Sequence, residues 1–104
     1  MLYYVAHKYG GDPLNVEKAK KITRNLQMND LENCYICPLS MFSHINYNEI
    51  GYEQELQLCF DVLTRCDVLL VASEISNGVK QEMEVAEKHN IKVVHLAEYY
   101  RERR

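Results

Sequence analysis

The 104-residue sequence predicts one α/β domain in which helices cover both faces of a parallel sheet. Its length suffices for one hydrophobic core and is too short for two. Four short apolar runs lack alternating polar residues, as is typical of strands that are buried on both faces of a parallel sheet. The segments between these runs have helical spacing. Right-handed crossovers then favour a three-layer flavodoxin-like (Rossmann-like) sheet in the order 2-1-3-4, within a single domain over residues 1–104.

The first strand and the first helix have clear sequence signals. Residues 2–6 form an apolar run that ends at polar and glycine residues, as expected for a buried strand entering a turn. Asp12 then supplies an N-cap and Pro13 the first helical position, and apolar residues follow at near-helical spacing. The second strand comprises residues 33–37 and is stopped by Pro38.

The second half of the chain alternates helices with strands. Residues 39–51 show no sustained hydrophobic period, which predicts a long loop of the kind that carries function. An apolar stripe predicts the second helix at Leu56, Cys59, Phe60, Leu63 and Cys66. Residues 67–72 form the third strand and residues 91–96 the last. Between these strands, a third helix is marked by Val79, Met83 and Ala86. Residues 97–104 predict a short, partly frayed final helix.

Composition and charge exclude several classes of protein. Hydrophobic residues make up 47% of the chain and charged residues 26%, which argues against disorder. A net charge of −3 supplies no positive field for nucleic acid, and the basic residues 101–104 are expected to form a solvated tail. No apolar run approaches the roughly 18 residues of a membrane helix, and the N-terminus lacks the pattern of a signal peptide. We therefore expect a cytoplasmic protein that binds neither nucleic acid nor membrane.

The four cysteines are expected to be reduced core residues. Cys34 and Cys37 have C-x-x-C spacing, but they lie in a strand-like run and not at a helix N-terminus, which would lower a thiol pKa. Cys59 and Cys66 lie too far apart, in a helical pattern, to complete a zinc site. We expect neither a metal nor another cofactor.

The most specific local signal crosses from the third strand into the third helix. Ser76 predicts an N-cap, and the free backbone N–H groups of the first turn would bind an anion such as a phosphate. Glu82 lies four residues after Gly78, and helical side chains lean toward the N-terminus, so its carboxylate points toward space that the glycine leaves. Because position 82 flanks the buried stripe of the third helix, we expect the acid to be partly buried, whereas Glu84 is expected to face solvent. Glu82 is a candidate nucleophile; the alternative is an ordinary surface glutamate.

Further candidate binding residues follow the carboxyl ends of the strands, where ligands bind in such sheets. Together with Tyr4 on the first strand and the helix start, the candidates are Tyr4, His7, Lys8, Tyr9, Gly10, Gly11, His44, Ser76, Asn77 and Gly78. The paired glycines would admit a phosphate to the backbone, and Lys8 would add positive charge. The alternatives are a plain Gly-Gly turn, a core position for Tyr4 and an exposed loop position for His44.

Three motifs together resemble those of the nucleoside 2-deoxyribosyltransferase superfamily. They are Tyr4-Val5-Ala6 with Gly10-Gly11, then Cys66-Asp67-Val68-Leu69-Leu70, and S-x-G-x-x-x-E-x-x-x-A from Ser76 to Ala86. The chain is especially similar to 2′-deoxynucleoside 5′-phosphate N-hydrolases and to small uncharacterised bacterial and phage domains of that superfamily.

The resemblance implies a flavodoxin-like homodimer that acts on a deoxynucleotide. The glutamate matching Glu82 would attack C1′, the base would leave, and water or a second base would resolve the glycosyl-enzyme. Residues matching Ser76, Gly78 and the turn at 9–11 would bind the 5′-phosphate or the sugar hydroxyls.

Two positions depart from the pattern of that superfamily. Transferases place an aspartate two residues before the glycine, where this chain has Ser76, which resembles the phosphate-binding branch. Catalytic members carry an aspartate eight residues before the one matching Asp67, and that position is Cys59 here. A thiol does not orient a sugar or share a proton as a carboxylate does. Asp61 lies two residues further along a helix and therefore faces elsewhere.

These observations support three functional hypotheses. The leading one is N-glycosidase or deoxyribosyltransferase chemistry on a 2′-deoxynucleoside 5′-monophosphate, with Glu82 as the nucleophile. The second, favoured by Cys59, is a non-catalytic module that binds or sequesters a nucleotide-derived small molecule in phage or host. The third is an interaction domain, favoured by the eight tyrosines, although it leaves residues 76–82 without a role. Because a domain of this size has only a shallow pocket, we expect a partner subunit to complete it near His44.

Overall fold

The computed structural model describes residues 1–45 and 47–103. Asn46 and Arg104, which belong to the predicted loop and tail, lie outside the described residues. The elements follow in chain order as β1 (Leu2–Ala6), α1 (Pro13–Met28), β2 (Cys34–Ile36), α2 (Pro38–Met41), α3 (Tyr47–Ile50), α4 (Tyr52–Leu63), β3 (Val68–Val71), α5 (Asn77–Lys88), β4 (Lys92–His95) and α6 (Leu96–Glu102).

The four strands form one all-parallel sheet in the order β2-β1-β3-β4. The flavodoxin-like α/β fold with strand order 2-1-3-4 is therefore confirmed. Ala6 at the end of β1 pairs with Val71 at the end of β3, so the segments that leave these two strands start side by side. The chain crosses to β2 on one side of β1 and to β3 on the other, which makes this edge the switch point where ligands bind in open α/β sheets.

The two central strands direct alternate side chains into two separate cores. Val5 and Leu70 pack with residues of α1 and α6 on one face of the sheet. Tyr4 and Leu69 pack with residues of α4 and α5 on the other face. This alternation follows from the two-residue period of a strand. It directs the Tyr4 side chain toward α5, the helix that carries Glu82.

Both predicted helix starts are confirmed. The carboxylate of Asp12 accepts a hydrogen bond from the backbone N–H of Leu14 at 3.0 Å, and a proline follows it at the first helical position. The hydroxyl oxygen of Ser76 accepts from the N–H of Val79 at 3.3 Å. These caps fix where α1 and α5 begin, and so fix how the preceding turns approach the sheet.

The predicted long loop over residues 39–51 is wrong, because two short helices lie within this region. Helix α2 begins at Pro38, whose fixed φ suits a first helical turn, and α3 follows at residues 47–50. Each comprises four residues, which is too short for a hydrophobic period to show in the sequence.

The predicted solvated tail is also wrong at Arg103. Its guanidinium lies 3.2 Å from a carboxylate oxygen of Asp30 and 5.1 Å from the ring centre of Tyr99. Asp30 itself is buried and accepts a hydrogen bond from the hydroxyl of Tyr35 at 2.6 Å. The C-terminal helix is thereby attached to the end of α1, at the edge of the sheet opposite the switch point.

All four cysteines are free thiols. Cys37 and Cys66 are buried and Cys59 is partly buried, but Cys34 is exposed. The core prediction is therefore wrong for Cys34, which opens the edge strand β2, where one side of the strand has no neighbour. Within the two described stretches, no helix has the length and apolar character to cross a membrane.

The stability of the fold should depend on the buried side chains of β3. We expect Leu70→Ala to lower the free energy of unfolding by about 2–5 kcal/mol, because it leaves a cavity in the core. Leu31→Ala is the matched control, with an effect within about 0.5 kcal/mol, because Leu31 is 81% exposed and Leu70 is fully buried. Urea unfolding measures both effects. Equal losses for the two variants would contradict the assigned core.

Candidate functional site

A pocket opens at the carboxyl end of β1, between α4 and the start of α5. We refer to it as the carboxylate pocket. Its polar and thiol-bearing lining side chains are Tyr4, His7, Tyr9, Tyr52, Glu55, Cys59 and Glu82. Apolar groups of β1, α2, α4 and α5 complete the wall.

The base of this pocket is a hydrogen bond between a strand and a helix. The hydroxyl of Tyr4 donates to the Oε2 oxygen of Glu82. Tyr4 is 1% exposed and Glu82 is 8% exposed, whereas Glu84 on the same helix is exposed. The predicted burial and direction of Glu82 are confirmed, and an ordinary surface position for it is excluded.

Burial changes the acid–base behaviour of the pair. Removal from water raises the pKa of Glu82 to about 7, although the hydrogen bond from Tyr4 acts in the opposite direction. Burial, and next the charge of Glu82, raise the pKa of Tyr4 well above its usual value. Tyr4 therefore remains a proton donor, while Glu82 exchanges between its acid and carboxylate forms near neutral pH.

Cys59 lines the same pocket but supplies no charge. Burial, and next the charge of Glu82, raise the pKa of its thiol to about 12. Asp61 does not compensate, because it is exposed and its carboxylate accepts a hydrogen bond from Gln57 at 3.0 Å. The prediction that Asp61 faces away from the site is confirmed.

Glu55 is a pocket residue that sequence reasoning missed. It lies one helical turn before Cys59 on α4, and its side chain lines the carboxylate pocket. A sequence signal existed, because residues four apart share a face of a helix. That signal is weak, because the apolar stripe around Leu56 predicts only a core-facing side of the helix, and an acidic residue beside such a stripe is usually a surface residue.

A second cavity adjoins the first at the start of α5. We refer to it as the glycine cavity, and it is lined by Tyr9, Gly10, Gly11, Tyr52, Ser76, Asn77 and Gly78. Gly10 and Gly11 have φ values of 60° and 78°, a left-handed conformation that favours glycine. The structure thus brings together the predicted turn and the predicted helix start.

The two cavities meet at Gly78. Tyr9, Tyr52 and Gly78 line both of them. A Cβ atom at Gly78 would lie 3.3 Å from the hydroxyl oxygen of Tyr52, so a larger residue would narrow the junction. One ligand could therefore occupy both cavities at once.

Three other predicted binding residues have different surroundings. His7 lines the carboxylate pocket, and its Nδ1–H donates to the carbonyl oxygen of Lys8 at 2.8 Å. The ammonium of Lys8 lies 2.9 Å from a carboxylate oxygen of Glu74 and lines neither cavity. His44 is exposed and also lines neither cavity, and its Nδ1 atom lies 3.1 Å from the carbonyl oxygen of Met41.

Metal binding has no support in the part of the chain that the structure describes. There, no three or more His, Cys, Asp or Glu side chains form a group that could hold a metal ion.

Residues 1–96 match the family described as a domain of unknown function (DUF7768). The chain belongs to this family. The match includes all four strands and every lining residue of both cavities. No curated protein and no solved structure matches the chain.

The raised pKa of Glu82 predicts a pH-dependent stability. The folded-state pKa of about 7 exceeds the ordinary value of 4.5, so the acid form stabilises the fold at low pH and this stability is lost as pH rises toward about 7. We expect Glu82→Gln to be more stable than the wild type by about 2–3 kcal/mol at about pH 8 and equal to it near pH 4. Urea unfolding across this range measures the difference.

Glu84→Gln serves as the control, because Glu84 is exposed on the same helix. Its stability should follow that of the wild type at every pH. A Glu82→Gln protein that is less stable than the wild type at pH 8 would contradict the assigned burial of the charge.

Proposed function

We propose that this domain binds a 2′-deoxynucleoside 5′-monophosphate and cleaves its N-glycosidic bond, with Glu82 as the nucleophile. The observation that supports this function is the buried Glu82 carboxylate beside Tyr4, directly adjoining a cavity formed by glycines and a helix start. The resemblance to the nucleoside 2-deoxyribosyltransferase superfamily, through Ser76, Gly78 and Glu82, points to the same chemistry.

In the first step, the carboxylate of Glu82 attacks C1′ of the sugar through Oε1, the oxygen that Tyr4 does not engage. A bond forms between Oε1 and C1′, and the bond between C1′ and the base nitrogen breaks. Its electron pair leaves with the base, which takes a proton from water. In the second step, water attacks C1′ and gives its proton to the hydroxide left by the first step, the ester bond breaks, and the electron pair of that bond restores the carboxylate.

Tyr4 has a positioning role in this scheme. Its hydroxyl holds Oε2, so the other oxygen of Glu82 is directed at the pocket. With a pKa of about 7, Glu82 is ionised in a large fraction of molecules at neutral pH, as a nucleophile requires. The burial that raises this pKa also makes the ionised oxygen poorly solvated and therefore reactive.

The 5′-phosphate would occupy the glycine cavity. Backbone N–H groups at the start of α5 have no partners within the helix, and the helix dipole favours negative charge there. The hydroxyl oxygen of Ser76 already accepts a hydrogen bond from one of these groups, the N–H of Val79. The N–H groups that precede Val79 remain for the ligand. The charge of Lys8 is offset by Glu74, so recognition of the phosphate would depend on the backbone.

A non-catalytic function is the second candidate, and Cys59 is the observation that favours it. Its thiol is neutral at physiological pH, so the pocket lacks an ionised group at the position where catalytic relatives of the resembled superfamily have an aspartate. The domain would then bind or sequester a nucleotide-derived small molecule without turnover. Either function would be cytoplasmic, and we propose a homodimer in which a second copy covers Tyr52, which is 46% exposed at the pocket mouth.

Release of free base tests the catalytic proposal. The protein is incubated with each 2′-deoxynucleoside 5′-monophosphate, and free base is measured by chromatography. We expect Glu82→Gln to lower the rate by about 10³-fold or more, with nucleotide binding retained, because it removes the nucleophile. The wild-type rate should rise between about pH 6 and pH 8 as Glu82 ionises.

The exposed Glu84→Gln variant is the matched control and should release base at the wild-type rate. Base release by Glu82→Gln at the wild-type rate would exclude Glu82 as the nucleophile. Nucleotide binding without base release by the wild type would favour the second candidate, and Cys59→Asp would then be expected to restore weak turnover.

A further inference from the structure

Glu55 brings a second carboxylate into the carboxylate pocket. It lies on the face of α4 that also carries Cys59, and it lines the same pocket as Tyr4 and Glu82. Its Oε2 atom is buried and accepts no hydrogen bond from the part of the chain that the structure describes. Such an atom is unusual, because buried polar side-chain atoms nearly always have a partner.

Because Glu55 lines the carboxylate pocket, a ligand bound there would be able to supply the missing hydrogen-bond donor. Burial raises the pKa of this carboxyl group, so a charge placed there without a donor is disfavoured. A ligand that supplies a hydroxyl would remove this penalty on binding. Tyr4 does not serve, since its hydroxyl already donates to Glu82.

The proposed substrate has one suitable donor. A 2′-deoxynucleoside 5′-monophosphate has a single free hydroxyl on its sugar ring, at C3′, because C2′ has none and the 5′ oxygen is esterified. With the phosphate in the glycine cavity and C1′ at Glu82, the sugar ring lies within the carboxylate pocket, where Glu55 is.

We propose that Glu55 accepts a hydrogen bond from the 3′-hydroxyl of the sugar and so determines specificity for substrates that carry it. This inference rests on the proposed function. It assigns to Glu55 a sugar-binding role that the neighbouring Cys59 cannot fill, since a neutral thiol is a weak acceptor. Catalytic members of the resembled superfamily have an aspartate at the position of Cys59. In this chain, the proposed acceptor Glu55 lies one helical turn earlier on the same face of α4.

The test compares two ligands that differ only in this hydroxyl. Dissociation constants are measured by calorimetry for a 2′-deoxynucleoside 5′-monophosphate and its 2′,3′-dideoxy counterpart. The Glu82→Gln background prevents turnover, and wild-type protein is followed alongside by thermal shift. We expect the Glu82→Gln protein to bind the hydroxyl-bearing ligand about tenfold more tightly.

Adding Glu55→Met should reduce this preference to about twofold or less, because methionine has a similar length and suits a helix but lacks a strong acceptor. Glu53→Met is the matched control on the exposed side of α4 and should leave the preference unchanged. Removing the unpartnered oxygen should leave the ligand-free melting temperature equal or higher. If Glu55→Met does not fold, Glu55→Gln replaces it. The Glu82→Gln protein alone should show the tenfold preference, and adding Glu55→Gln should weaken that preference.

The outcomes separate the two proposals. One outcome is that the Glu82→Gln protein prefers the hydroxyl-bearing ligand equally with and without Glu55→Met. This would overturn the role of Glu55 and leave the proposed function standing. Equal affinity of the Glu82→Gln protein for the two ligands would do the same. If neither nucleotide binds to the wild type or to any variant, both proposals are overturned.

Discussion

The hydrogen bond from Tyr4 to Glu82 joins strand β1 to helix α5, and both side chains are largely removed from water. Burying a carboxyl group is unfavourable unless it is paired, and one neutral donor offsets this cost only in part. The raised pKa of Glu82 reflects the part of this cost that the hydrogen bond from Tyr4 does not offset. A sequence under selection for stability alone would place an apolar residue at this position, so the retained acid points to a function.

The topology of the sheet explains why the chemistry is concentrated at this edge. The carboxyl ends of parallel strands all lie on one side of the sheet. The segments that leave β1 and β3 start side by side there and then lead to helices on opposite faces of the sheet. The glycine turn after β1 and the capped start of α5 form one cavity, and α4 closes the other. The hydroxyl of Tyr4, the carboxylate of Glu82 and the proposed anion site on the backbone are thereby adjacent, although the residues are distant in the sequence.

Sequence reasoning predicted those features that leave a local pattern. Apolar runs without alternation predicted the parallel sheet, right-handed crossovers predicted its strand order, and the caps at Asp12 and Ser76 predicted two helix starts. The spacing between Gly78 and Glu82 predicted the direction of the carboxylate, and the neighbouring apolar stripe of α5 predicted that the acid is partly buried. Helices α2 and α3 were missed because four residues show no period.

Long-range contacts could not be predicted in the same way. The pairing of Asp30 with Arg103 joins segments that are far apart in the chain and has no sequence signal beyond opposite charge. The unpartnered oxygen of Glu55 depends on how α4 packs over the sheet, which the sequence pattern does not fix. Sites assembled between elements therefore need coordinates, whereas sites within one helix can be predicted from spacing.

The most direct measurement is a crystal structure of the Glu82→Gln protein with a bound 2′-deoxynucleoside 5′-monophosphate. The account predicts that C1′ faces residue 82 and that the phosphate lies within hydrogen-bonding distance of backbone N–H groups at residues 76–78 or 10–11. A nucleotide bound elsewhere on the surface, or residue 82 turned to solvent away from Gly78, would contradict it.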